Sequence, residues 1–380
     1  MTVAPIKPEL LTWARERAGL PRKALERKFP RLAAWEAGSA QPTLRQVERF
    51  ARAVYVPVGY LFLPEPPVER LPIPDFRVGH GDRRPPSPNL FDTIYMCQGR
   101  QEWYRDYALA AGEAERDFVG SLSLATPVAE AAGTIRDALG FDLEARRACP
   151  TWTEALRTFI AQAEEIGVLV MVSGVVYNNT RRRLDPAEFR GFAIADRLAP
   201  LIFINGADTK AAQMFTLAHE LGHLWLGQSA LTDATPASAA DGDVETWCNR
   251  VAAELLVPEA VLAREIDHRE PLDEALARHA RRFKVSTLVI LRRLRDLRVL
   301  TANEFRAAYE AELNRLLSID RGSGGNFHLT EAVRVSKRFA SALVASTLEG
   351  HTLYRDAMQM LGISKLETFD RFSRHVQTVA

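Results

Sequence analysis

The segment FTLAHELGHLWLG, residues 215 to 227, sets two histidines four positions apart with a glutamate directly after the first. Residues four apart on a helix lie one turn above each other on the same face, so the imidazoles of His219 and His223 can meet one ion. Two ring nitrogens at about 2.0–2.1 Å from zinc leave room for one further protein ligand and a water, the open arrangement that a catalytic site requires. Glu220 stands about 100° round the helix from His219, where its carboxylate can reach that water. The ion would lower the pKa of the water and polarise a scissile carbonyl, and Glu220 would take the proton and pass it to the leaving amine. A lone i,i+4 histidine pair is usually two residues on a solvated face. Histidine is scarce here, eight in 380 residues, and an accidental HExxH arises in roughly one such protein in a hundred, so the metal reading is favoured.

Position 229 is serine, so the third histidine of the extended HExxHxxGxxH spacing is absent and the remaining ligand must come from another element. The next run, DVETWCNRVAAELL, offers Glu245, with Asn249 one turn later on the same face to orient a ligand histidine. Glu254 is the alternative, although in AAELLVP a helix-surface or capping role is equally open to it. Tyr177, His268, His279 and Arg250 qualify as oxyanion donors by residue type alone, and none is assigned. Cys248 reads as a small buried residue rather than a nucleophile.

The elements that position these residues follow from periodicity. Asp208 is the expected N-cap and Gly227 the C-terminal stop of one helix, with Met214, Leu217, Leu221, Leu224 and Trp225 as its buried stripe and the two histidines at the edge of that stripe. Upstream, VLVMVSGVV, EFRGFAIAD and PLIFING are short apolar runs flanked by Gly, Asn and Pro, which predict two or three strands and hence an α+β core. The strand GFAIA is a candidate to bind an extended peptide along its edge. Helical periodicity covers about 90–165, resumes with DVETWCNRVAAELLVP and continues through LDEALARHARRF and STLVILRRLRDLRVL towards Val376.

The chain is long enough for two or three domains, and its apolar fraction of 47% can fill real cores. Five regions are expected: a helical bundle over 1–63, a proline-rich linker over 64–90, a helical region over 91–165, the core over 166–260 and a helical region over 261–380. Three widely spaced cysteines without a CxxC pair argue against a disulfide framework or a cysteine-built zinc site. No apolar run approaches the roughly 18 residues a spanning helix needs, and MTVAPIKPEL lacks the layout of a secretory signal; the expectation is a cytoplasmic protein without a membrane partner. Charge is nearly balanced overall, yet residues 1–63 carry eleven Lys and Arg against five Glu, which suits an anionic partner such as DNA. RGSGGN, 321–326, lacks the GxxxxGK[ST] pattern and reads as a linker, and Arg181, Arg182 and Arg183 read as a solvated turn.

The run FRGFAIADRLAPLIFINGADTKAAQMFTLAHELGHLWLG followed by ETWCNRVAAELLVP resembles the ImmA/IrrE family of zinc metallo-endopeptidases, and residues 1–63 resemble an XRE-type helix-turn-helix domain. The resemblance implies a zincin-like peptidase core of gluzincin type within a mainly α, multidomain chain that begins with an all-α helix-turn-helix bundle. It also implies zinc on His219, His223 and Glu245 with Glu220 as the base, and a protein partner: a repressor-like regulator as substrate, or a toxin for which the chain is a non-catalytic antitoxin. In the helix-turn-helix reading PRKALERKF and RLAAWEAG are the second and recognition helices. KFPRLAAWEAG is short and apolar, so base reading is poorly served, while Arg22, Lys23, Arg27, Lys28 and Arg31 remain candidates for phosphate contacts. A DNA-binding factor alone would leave HExxH unexplained.

Overall fold

Prolines punctuate the N-terminal helices. Pro8 opens α1 (Pro8–Arg17), where its missing N–H would lack a helical partner anyway; Pro21 precedes α2 (Arg22–Glu26), and Pro30 separates it from α3 (Leu32–Glu36). A capping box of Thr43 and Gln46 starts α4 (Leu44–Ala53). Leu10, Leu32, Trp35, Val47 and Phe50 fill the core of this bundle. Both helices read as the DNA-contacting pair are only five residues long; Pro21 and Pro30 bound the stretch that holds α2, and α3 gives way to Gly38 at φ 72°. Within α3, Leu32 and Trp35 are buried and Glu36 is paired with Arg15 and Arg22 at 2.7 and 2.9 Å, so only Ala33 is fully outward. Arg22, Lys23, Arg27, Lys28 and Arg31 are all exposed.

The computed structural model describes residues 4–76, 85–232, 243–318 and 334–379. It divides into two units: the first holds the N-terminal bundle up to Pro72 and the first turns of α5 (Pro88–Ala110), and the second holds residues 73–76 and the chain from Met96 onwards. The segment RGSGGN lies outside the described residues.

In the second unit, α6 (Val128–Leu139), α7 (Leu143–Ala148) and α8 (Trp152–Glu165) precede a four-stranded mixed sheet. Its strands are β1 (Leu169–Ser173), β2 (Gly191–Ile194), β3 (Leu201–Asn205) and β4 (Ala230–Thr232), in the order β1-β3-β2-β4. β1 runs parallel to β3, and the other pairs are antiparallel. Every strand residue is buried, which is why the runs are continuously apolar rather than alternating. Val170, Val172, Ala193, Ile202 and Ile204 share a core with α8 and the site helix. Phe192 and Phe203 stack 5.1 Å apart, and the Met171 sulfur meets Cys97 and Arg100 of α5. β2 is an interior strand, so GFAIA cannot serve as a free edge; β4, three residues too short to show a period, covers its outer side.

The site helix is α9 (Lys210–Trp225). Its N-cap is Thr209, whose hydroxyl accepts from the Ala212 N–H at 3.2 Å, rather than Asp208, which pairs instead with Arg190 at 3.2 Å. At the other end Gly227 adopts φ 68°, and the N–H groups of Gly227 and Gln228 donate to the carbonyls of Leu224 and His223. The expected stripe is too narrow a description: every residue from Gln213 to Trp225 is buried, because the helix is enclosed by β2, β3, α8 and α10 (Asp243–Leu256). α9 and α10 approach closely at Gly222, where a Cβ would stand 3.3 Å from the Cys248 sulfur.

After α11 (Glu259–Ala263), α12 (Leu272–Phe283), α13 (Thr287–Asp296) and α14 (Ala302–Ser318), the chain ends in α15 (Lys337–Leu348), α16 (Tyr354–Leu361) and α17 (Leu366–Val379). The Arg181–Arg183 run sits in a tight turn in which Val176 N–H donates to the Arg182 carbonyl and Val175 bridges Arg183. A buried carboxylate joins the last helices to the core: Glu164 of α8 accepts from the Ser336 hydroxyl and from the Lys337 N–H at 2.8 Å, at the start of α15. Burial pushes the Glu164 carboxyl up from 4.5 to about 7 against the pull of those bonds. A carboxyl whose folded pKa exceeds its unfolded one stabilises the fold fully below pH 4.5, and that contribution is lost as pH rises through 7. Urea midpoints measured from pH 4 to pH 8 should therefore show wild type losing stability relative to Glu164→Gln as pH rises, by at most about 3 kcal/mol; parallel profiles would contradict the assignment.

Candidate metal centre

Helical spacing places His219 and His223 on one side of α9, and the contact at Gly222 brings the first turn of α10 against them. The Nε2 atoms of the two histidines lie 3.1 Å apart. Glu245 of α10 reaches both, with Oε2 at 3.3 Å from His219 Nε2 and Oε1 at 3.0 Å from His223 Nε2. Two imidazole nitrogens and a carboxylate so close together suit one tetrahedral ion, since zinc bonds of about 2.0–2.1 Å imply ligand separations of about 3.3 Å. All three side chains are buried. His223 Nδ1, on the far side of its ring from this cluster, has no hydrogen-bond partner among the described residues.

The surroundings fix which lone pairs face inward. His219 Nδ1 donates to Asn249 Oδ1 at 3.0 Å, which holds the ring in the tautomer that leaves Nε2 free to bind. Glu220 accepts the Thr232 hydroxyl on Oε1, and its buried Oε2 has no partner among the described residues. Gly191 makes room for this arrangement. A Cβ there would stand 2.5 Å from Thr216 Cγ2, 2.8 Å from the Phe203 carbonyl and 3.2 Å from Glu220 Oε1.

The charges are strongly coupled. Burial raises the Glu245 carboxyl, but hydrogen bonds and charge from both imidazoles overcome it and hold the group at about 2. Burial works to lower His219, yet Glu245, Glu220 and Asn249 together carry it above its ordinary value; His223, opposed by burial and by its neighbour His219, ends below. Glu220 is pushed up to about 8 by burial, with His219 and Thr232 pulling the other way. A divalent cation among these groups would favour the ionised carboxylates and the neutral imidazoles.

Glu254, the other candidate ligand, is engaged elsewhere: it pairs with Arg293 and accepts the Glu259 N–H at the start of α11. Among the oxyanion candidates, His279 is buried on α12 beside Glu265 and Arg278, His268 and Arg250 are exposed, and Tyr177 turns at φ 49° after β1. Cys248 is buried against Gly222. Thr232 and Gly191 are absent from the sequence reading, because a threonine in a three-residue strand and a glycine in a β-run carry no local signal of a carboxylate beside them. Phe76 was missed as well; its ring stacks on the His223 imidazole, 17° from parallel with centroids 6.4 Å apart.

This geometry ranks substitutions by metal content. Measured by inductively coupled plasma mass spectrometry after dialysis, His219→Ala, His223→Ala and Glu245→Gln should each lose most of the bound metal, and Glu254→Gln should retain it. Asn249→Ala should weaken binding about 10–100-fold. Full retention by Glu245→Gln with loss in Glu254→Gln would reverse the assignment.

Comparison with known proteins bears on the same region. Residues 163–295 match the IrrE N-terminal-like domain, and residues 335–375 match a domain of unknown function, DUF8813. The chain is also 41% identical over 91 residues to the radiation response metalloprotease IrrE of Deinococcus radiodurans, a stretch that covers 23% of this chain and 28% of that protein. The matched domain contains the sheet, α9 and α10, so residues 163–295 carry an IrrE N-terminal-like domain, and the likeness supports the ImmA/IrrE family.

Proposed function

We propose that the chain is a zinc-dependent endopeptidase whose substrate is a protein regulator, a repressor of XRE type in a stress- or mobile-element-linked transcriptional response. The observation that carries the reading is the convergence of His219, His223 and Glu245 with Glu220 beside them, its Oε2 unshared. The match to the IrrE N-terminal-like domain supports a metallopeptidase, and the relative's name ties that protein to a radiation response. His219, His223 and Glu245 would hold the zinc, which supplies a Lewis acid to polarise a carbonyl and acidify water. Asn249 fixes the His219 tautomer, so that Nε2 presents its lone pair. Thr232 holds one oxygen of Glu220, leaving the other to accept a proton from water and deliver it to the departing amine. The enclosure of α9 keeps bulk water from these groups and strengthens their interactions. For the N-terminal bundle, the exposed Arg22, Lys23, Arg27, Lys28 and Arg31 support contact with a phosphate backbone more than with base edges, since α3 offers no polar outward side chain. Among the described residues no helix is long and apolar enough to cross a membrane.

The competing reading is a regulator or antitoxin that uses the same fold only to bind. Glu220→Gln separates the two, because Glu220 is not a proposed ligand. The variant should keep its zinc and its fold and lose cleavage of the partner regulator by roughly 10²–10⁴-fold. Wild-type behaviour of Glu220→Gln in repressor-cleavage and toxin-rescue assays would favour the binding reading.

A further inference from the structure

We infer that the outer edge of β4 is the peptide-binding edge of this site, and that residues 73–76 of the chain occupy it as a built-in competitor for an extended peptide carrying an aromatic side chain. The inference rests on the peptidase reading and adds to it a surface, a ligand class and an occupant.

Leu231 is the middle residue of β4. Its N–H donates to the Pro74 carbonyl at 2.9 Å and its carbonyl accepts the Phe76 N–H at 3.0 Å, so Asp75 and Leu231 form a parallel bridge. β2 holds the other side of β4, and the segment therefore takes the next strand position in the sheet. Two contacts tie this position to the chemistry. Thr232, the residue after Leu231, hydrogen-bonds Glu220, and the Phe76 ring stacks on His223. Ile73 is buried at 5% exposure and anchors the stretch.

A strand edge with unpaired N–H and carbonyl groups takes an added extended peptide through main-chain bonds, and pockets for alternate side chains give the selectivity. The stretch LPIPDF suits this role. Pro72 and Pro74 hold the residues before them extended, and Pro74 engages through its carbonyl alone, so its missing N–H forfeits nothing. A peptide entering along the same edge meets the same two backbone groups of Leu231 and must displace the segment. A single bridged pair is a marginal contact by itself, but attachment to the same chain gives the occupant a high effective concentration. The segment thus excludes weak ligands and yields to a peptide that binds better.

The test uses the full-length chain, two variants and a fluorescein-labelled peptide of sequence LPIPDFRV. Phe76→Ala removes the ring; Phe76→Pro removes both the ring and the N–H donor. Circular dichroism and thermal unfolding establish that each variant folds, and Phe76→Ala carries the test if Phe76→Pro does not. The labelled peptide should bind the variants at least about tenfold more tightly than it binds wild type, and replacing the peptide's own phenylalanine by alanine should weaken binding about fivefold. The Leu231 amide should exchange its hydrogen at least about tenfold faster in Phe76→Pro than in wild type. Equal peptide affinities together with unchanged Leu231 exchange overturn the inference. Casein cleavage by the zinc-loaded proteins is followed in parallel. Cleavage with unchanged binding and exchange sinks the occupied edge and leaves the peptidase reading intact, whereas tighter binding without cleavage by any variant supports the edge and counts against the peptidase.

Discussion

The whole arrangement depends on one close approach, that of α9 to α10 at Gly222 and Cys248. A Cβ at residue 222 would crowd the Cys248 sulfur at 3.3 Å, so the glycine helps the two helices come near enough for a carboxylate on one to reach two imidazoles on the other. The result is costly in isolation, because burying two imidazoles and two carboxylates removes them from water. Their pairing offsets part of that cost, and Asn249 and Thr232 satisfy two more atoms. Glu220 Oε2 has no partner among the described residues, and the Nε2 atoms of both histidines and the Glu245 carboxylate crowd into one small region. A cation resolves that deficit, whereas apolar packing would not.

Around this contact the fold supplies rigidity. The sheet backs α9 along its length, with Gly191 giving Glu220 its space and Thr232 its anchor. Behind the sheet, buried Arg100 donates to the Met360 carbonyl at 2.9 and 2.6 Å, and Asn178 donates to the carbonyls of Leu361 and Gly362, so the C-terminal helices are fastened to β1 and the turn that follows it. Glu164 adds a third tie at the start of α15. The region matching a domain of unknown function is thereby part of the same unit as the metal centre rather than an appendage.

Much of this was legible in the sequence, for reasons that can be stated residue by residue. His219, Glu220 and His223 are legible because helical spacing alone puts two imidazoles on one side. Glu245 and Asn249 needed the further step that residues four apart share a face, and that step cannot say which of two acidic residues faces the partner helix; Arg293 decides that by claiming Glu254. Strands β1, β2 and β3 announce themselves as apolar runs, while β4 is too short for any period to appear. Asp208 and Thr209 are equally good caps in sequence, and only the helix start separates them. Phe76 lies more than a hundred residues before His223 in a proline-rich stretch, and nothing local signals that the two rings meet.

The account stands or falls on what surrounds the metal. Zinc K-edge X-ray absorption on the purified full-length chain reads the ligand shell directly, independently of any activity. The account predicts a shell of nitrogen and oxygen at about 2.0–2.2 Å with the outer-shell scattering of two imidazoles and no sulfur. Sulfur at about 2.3 Å, or a shell of oxygen alone without imidazole scattering, would place the ion somewhere other than His219, His223 and Glu245 and would contradict the central claim.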